Sequence, residues 1–177
     1  IGILYKKRGR MLMPLCEGGG QEKGLRSGTE NLAAIAAMAK AARLLLTDEK
    51  EKADREYAIK EKISKYLAGK PGIHIFSPLK ADFAPHILCF ALEGIRGETL
   101  VHTLEDQDIY ISTTSACASK KADEASTLVA MKTPDAIATS AVRLSFDESN
   151  TLEEADEFIA AFDEIYQHFA KINHLGE

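Results

Sequence analysis

Cys117 stands in Ser112-Thr113-Thr114-Ser115-Ala116-Cys117-Ala118-Ser119, behind the apolar run Ile109-Tyr110-Ile111. The run predicts a strand that stops at Ser112. Small residues on both sides leave the sulfur room to move and to meet another molecule. A thiol needed only for packing more often sits inside an apolar run. Two uses are open to it. It is a nucleophile on a mobile loop, acting as the thiolate, or it is an incidental loop cysteine. A second group with chemistry is Arg143, in Ala138-Thr139-Ser140-Ala141-Val142-Arg143-Leu144-Ser145-Phe146. A strand-borne guanidinium is a rigid fork suited to a carboxylate. The alternative is a surface arginine paired with a neighbouring acid. A third candidate is the glycine-rich stretch from Gly18 to Asn31, which runs into a helix. Free N–H groups at such an entrance suit an anion such as phosphate. By the residues alone a plain flexible connection is the better reading there, since Glu22 and Glu30 add negative charge where an anion would bind.

Strands and helices must hold these groups in place. Leu32, Ile35, Ala36, Ala39, Ala42 and Leu46 recur at helical spacing, with Thr29 at the helix entrance and capping-box spacing from Ser27 to Glu30. A second helix is predicted from Asp48 to Ala68, with Ala53, Tyr57, Ile63, Tyr66 and Leu67 as its apolar stripe. Gly69, Pro71 and Gly72 end it. Gly2 to Tyr5, Ile73 to Phe76, Pro85 to Leu92 and Val142 to Phe146 read as further strands. Cys89 lies mid-run and reads as a small core residue. Glu98 to Glu105 and Leu128 to Met131 read as short helices, carrying His102 and ending before Pro134 respectively. Thr151-Leu152-Glu153-Glu154 is a capping box for a long amphipathic helix marked by Phe158, Phe162, Ile165 and Phe169. The expected fold class is α+β, an α/β sandwich in which helices cover one side of a sheet.

The bulk properties narrow the function. At 177 residues, with 45% hydrophobic and 28% charged residues, the chain has a globular composition. A net charge of −5 argues against nucleic acid. No apolar run approaches the ~20 residues of a membrane span, so no membrane partner is expected. Cys16, Cys89 and Cys117 are odd in number and widely spaced, which suits neither a disulfide framework nor a C-x-x-C zinc site. No metal is expected, and a reducing cytoplasm is the simplest setting. The chain starts without methionine, inside a predicted strand, and the expectation is a fragment whose beginning lies elsewhere.

Taken together, Gly18 to Asn31, Ser112 to Cys117 and Ser140 to Ser145 resemble the cysteine desulfurases. These are class V aminotransferases within fold type I of the pyridoxal-phosphate enzymes. The resemblance covers essentially the whole chain and matches the C-terminal portion of that family. It implies a division into residues 1–28, the tail of the large cofactor-binding domain, and 29–177, the small domain with the catalytic-cysteine loop. Cys117 resembles the cysteine that attacks the substrate sulfur and becomes a persulfide. Arg143 resembles the arginine that holds the carboxylate of L-cysteine. Thr29 resembles the threonine whose hydroxyl reaches the cofactor phosphate of the opposite subunit, and Gly28 and Ser27 shape that loop. The stretch between Cys117 and Arg143 resembles the subgroup whose extended loop carries sulfur to acceptor proteins.

The resemblance thus implies pyridoxal 5'-phosphate, a homodimer, L-cysteine as substrate, and a sulfur acceptor serving iron–sulfur cluster assembly or tRNA thiolation. The family's cofactor-bearing lysine belongs just before the segment that begins at Ile1, and no lysine of this chain lies in that context. Most of the cofactor site is therefore expected outside it, and the stretch alone is expected to be inactive. The competing expectations are a selenocysteine lyase, a stand-alone sulfur-carrier or interaction domain, and a structural domain with an idle cysteine.

Overall fold

The computed structural model describes residues 1–113 and 126–173, except the side chains of 126 and 171–173. The chain divides into two compact units, Ile1–Glu49 and Lys50–Glu177. In the first, a loop with a short 3-10 turn at Gln21–Gly24 leads into helix α1, Leu32–Leu46. The Asn31 side chain caps α1 by accepting from the Ala34 N–H at 3.0 Å, so the cap falls after the predicted Ser27 to Glu30 box. Helical spacing is borne out, yet no residue of α1 is buried. Gly2 to Tyr5 forms no strand, and these residues are exposed. Apolar, β-favouring residues make a strand only where another edge takes up their peptide groups, and none among the described residues is paired with them.

The second unit is built on a four-stranded antiparallel sheet in the order β1-β2-β4-β3. Helix α2 covers Glu49–Ala68, β1 Ile73–Ile75, β2 Ile87–Leu92, and α3 Gly97–Glu105. Strand β3 is Ser112–Thr113, α4 Ser126–Ala130, α5 Asp135–Ala138, β4 Ala141–Ser145, and α6 Leu152–Asn173. Because β4 is antiparallel to both β2 and β3, those two are parallel to each other. Helix α3 makes the crossover between them, and β4 later fills the gap.

Alternation assigns the faces. Leu88, Phe90 and Leu92 of β2, with Val142 and Leu144 of β4, point into the main core. Opposite them lie Ile59, Ile63 and Leu67 of α2, Leu100 and Leu104 of α3, and a stripe on α6 from Ala155 to Tyr166. Phe162 is fully buried at its centre, edge-on to Phe90 at 5.5 Å and stacked on Phe158 at 5.7 Å. Among the described residues, the other face is covered at one end, where Leu128 and Ala138 pack on Ala91 and Ala141. The α+β expectation, with helices chiefly on one side, is what the chain adopts.

Local rules explain the ends of the elements. At α6, the Thr151 N–H donates to Glu154 Oε2 at 2.9 Å, and the Glu154 N–H donates to Thr151 Oγ1 at 3.2 Å. This is the reciprocal capping box read from the sequence. Gly97 opens α3 against the start of β4, its N–H donating to the Thr139 carbonyl at 3.0 Å. A Cβ there would lie 2.8 Å from the Ala141 carbonyl oxygen, so only glycine allows this approach. The predicted strand at Ile109 to Ile111 is displaced. After α3 the chain turns through Asp108 at φ 60°, and the Ile109 N–H returns to the Leu104 carbonyl at 3.0 Å. Ile109 and Ile111 pack on the core instead, and sheet pairing starts only at Ser112. Among the described residues, no helix is long and apolar enough to cross a membrane.

Candidate functional site

Arg143 lies in the middle of β4 and is exposed. Its neighbours Val142 and Leu144 face the core, so its side chain stands on the open face of the sheet. Two cross-strand partners flank it, Cys89 on β2 and Ser112 on β3. The Cys89 N–H donates to Ser77 Oγ at 2.6 Å, and the Cys89 carbonyl accepts from the Phe76 N–H at 2.9 Å. Both of its peptide groups therefore point away from β4. Cys89 and Arg143 form a non-hydrogen-bonded pair, the kind whose Cα atoms come within about 4.5 Å. Ser112 is the hydrogen-bonded partner, and its hydroxyl reaches the Arg143 carbonyl at 3.5 Å.

Among the described residues, the Arg143 guanidinium has no hydrogen bond and no ion pair. The alternative of a surface arginine neutralised by a neighbouring acid finds no such acid among the described residues. Of the flanking serines, Ser145 shares its face. Ser140 does not: it is buried just before the strand, its hydroxyl donating to the Ala136 carbonyl at 2.9 Å. Cys89 departs from its reading as a core residue. It is half-buried on the face opposite the main core. Burial pushes its thiol up to about 11, although the positive charge of Arg143 pulls the other way.

Strand β3 leads from Arg143's cross-strand neighbour directly into the segment that holds Cys117. Cys117 itself lies outside the described residues. It follows Ser112 by five positions, and a chain of that length spans at most ~17 Å.

The loop of the first unit is knitted by its own side chains. The Ser27 hydroxyl donates to the Cys16 carbonyl at 3.2 Å, and the Gly28 N–H donates to Gln21 Oε1 at 3.2 Å. Arg26 Nη1 donates to the carbonyls of Gly28 and Thr29, at 3.0 and 3.2 Å. Gly28 sits at φ 99°, where a side chain would be strained. Thr29 is exposed, and its hydroxyl has no partner among the described residues. These observations test the fit to a cofactor phosphate. The Gly28 N–H is already taken by Gln21 and so is not free for an anion. The loop offers one free hydroxyl beside a guanidinium, which fits a phosphate oxygen through Thr29 Oγ1. Arg26 and Gln21 are the residues sequence reading passed over. A polar side chain beside several glycines, with carbonyls in reach, was the available signal.

His86 and His102 each have a carboxylate as neighbour. His86 is exposed, 3.9 Å from Glu56 Oε2, and its carbonyl accepts from the Phe146 N–H. His102 is 3.1 Å from Glu105 Oε2 on the same helix. A cavity of about 330 Å³ opens among main-core residues, between Ile59, Ile109, Phe146 and Phe158, and neither Arg143 nor Thr29 lines it. No group of three or more metal-ligating side chains occurs among the described residues.

An antiparallel sheet backed by helices thus carries, on its open face, an arginine with no partner among the described residues, beside the strand that precedes the Cys117 segment. Residues 1–158 match the aminotransferase class-V family model, and the chain belongs to that family. It is 99% identical over 177 residues to a NifS/IcsS protein homolog of Lactobacillus delbrueckii subsp. bulgaricus, covering all of this chain and 46% of that protein. It is 31% identical over 179 residues to the cysteine desulfurase IscS of Clostridium botulinum, covering 45% of it. Among solved structures, it resembles a NifS-like protein with a TM-score of 0.75 and 34% identity, over 93% of this chain and 41% of that one. A NifS-like protein from Rickettsia africae gives a TM-score of 0.73 at 28% identity, over 89% and 41%. The chain spans less than half the length of the curated relatives it matches.

Proposed function

We propose that this chain is the C-terminal part of a pyridoxal-phosphate-dependent cysteine desulfurase that takes sulfur from L-cysteine onto Cys117. The supporting observation is the guanidinium of Arg143, which has no partner among the described residues and whose strand pairs with β3, the strand that precedes the Cys117 segment. Arg143 holds the substrate carboxylate in a two-point fork and so fixes where the rest of the molecule lies. Thr29 Oγ1 donates to a phosphate oxygen of the cofactor. When bound, pyridoxal phosphate supplies an electron sink. The thiolate of Cys117 attacks the substrate sulfur. A sulfur–sulfur bond forms and the carbon–sulfur bond breaks, its electron pair staying on carbon. That carbon takes up a proton, alanine leaves, and a persulfide remains on Cys117. Sulfur then passes to an acceptor protein in a cytoplasmic homodimer.

The test is a Cys117→Ser variant of the full-length protein. It retains cofactor absorbance and releases no sulfide from L-cysteine. Full turnover in that variant would falsify the assignment. Mass spectrometry of the unmodified protein after turnover finds the added sulfur on the Cys117 peptide.

A further inference from the structure

On the open face of the sheet, every described position around Arg143 is neutral. Cys89 and Ser112 lie directly across from it, Ala141 and Ser145 precede and follow it on the same face, and Ile87 and Ala91 are the diagonal neighbours on β2. The chain carries 27 acidic against 22 basic residues, and an acid directly across the strand would stabilise an exposed arginine. Neither cross-strand partner of Arg143 is one. The nearest of its neighbours is Cys89, because the pair is of the closer, non-hydrogen-bonded kind. The Ser77 hydroxyl and the Phe76 amide hold the Cys89 backbone in that register.

We propose that Cys89 is a positioning residue for the carboxylate site of Arg143, a small neutral side chain that leaves the guanidinium uncompensated and able to turn toward a ligand's carboxylate. This rests on reading Arg143 as the substrate-carboxylate residue. Among the described sheet positions around Arg143, the thiol is the one ionisable neighbour. Burial keeps it protonated at neutral pH, so it adds no competing negative charge. It is also a poor nucleophile for the same reason, which leaves sulfur transfer to Cys117. An acid at this position would occupy the fork intramolecularly and compete with each incoming substrate.

The experiment compares Cys89→Asp with Cys89→Asn in the full-length protein. The two side chains have the same shape and differ in charge, so any cost of size is common to both. The expected result is a KM for L-cysteine at least about tenfold higher in the aspartate variant, with kcat within about threefold. Equal KM values in the two variants overturn the proposal. A second measurement needs no substitution at Cys89. Peptide-resolved alkylation of Cys89 by iodoacetamide at alkaline pH is slower in Arg143→Gln than in the unmodified protein, because the guanidinium no longer favours the thiolate. An unchanged rate overturns the coupling. An unmodified protein that releases no sulfide from L-cysteine counts against the proposed function and leaves the alkylation result to stand by itself.

Discussion

Asp163 on α6 holds together helices at the back of the sheet, and Asp163→Asn measures how strongly. Its carboxylate accepts from Lys70 Nζ at 2.7 Å and from Tyr66 Oη at 2.5 Å, with Gln167 Nε2 at 2.5 Å on the other oxygen. Lys70 Nζ also lies 4.5 Å from the ring centroids of both Tyr66 and Tyr166. The hydrogen bond from Lys70, then that from Tyr66, holds the Asp163 carboxyl below the usual carboxylate range. Burial pushes the Tyr66 hydroxyl up, with Asp163 adding to the effect. At 2.7 Å, Coulomb attraction is about 1.5 kcal/mol with the dielectric of water and about 6 with a surface value of 20. Desolvation and side-chain ordering take back most of this, since exposed pairs net ~0.2–1 kcal/mol. Hydrogen bonds to a charged group net about 1.5–3.

The pair's side chains are 18% and 33% exposed, so the partly buried case governs, and Asp163→Asn should cost about 2 kcal/mol. The cation–π contacts of Lys70 survive the substitution. A double-mutant cycle with Lys70→Met should therefore leave a coupling of about 1 kcal/mol. The assay is equilibrium urea unfolding followed by circular dichroism. The folded carboxyl is held low, so its contribution is complete above the unfolded value near ~3.9 and is lost as pH falls below it. The gap between unmodified and Asn proteins should close at acid pH. A coupling below about 0.3 kcal/mol, or a gap independent of pH, refutes the reasoning.

Other outcomes follow from single contacts. Gly97→Ala should destabilise by about 1–3 kcal/mol in thermal unfolding, because the new methyl meets the Ala141 carbonyl at 2.8 Å. Lys60 is 1% exposed, its amine donating to the Ala84 carbonyl at 2.9 Å, and burial holds its pKa below the ordinary lysine value. Stability in the unmodified protein should therefore rise as pH climbs from the folded value toward the unfolded one near ~10.4. Lys60→Met should flatten that rise in denaturation curves taken across alkaline pH. Arg143→Gln in the full-length protein should raise KM for L-cysteine about 10- to 100-fold, while circular dichroism stays unchanged, since the side chain is exposed.

The helix boundaries were legible because they rest on local chemistry. Thr151 and Glu154 find each other three residues apart in any context, and Gly69 to Gly72 cannot continue a helix. The alternation at Val142 and Leu144 told which way Arg143 must point before any partner strand was known. The strands at Gly2 to Tyr5 and Ile109 to Ile111 were misread for one reason. Strand formation needs a partner edge, and composition does not say whether one is there.

Sequence alone determined the helical stripes, the capping box, and the face on which Arg143 stands, because each depends on a fixed period or a short separation. Only the tertiary structure decided that β4 runs between β2 and β3. That placement sets Cys89 and Ser112, distant in the chain, on either side of one guanidinium. It also decided that neither cross-strand partner of Arg143 is an acid, since such neighbours are chosen by register, and register is fixed by the packing of the whole sheet.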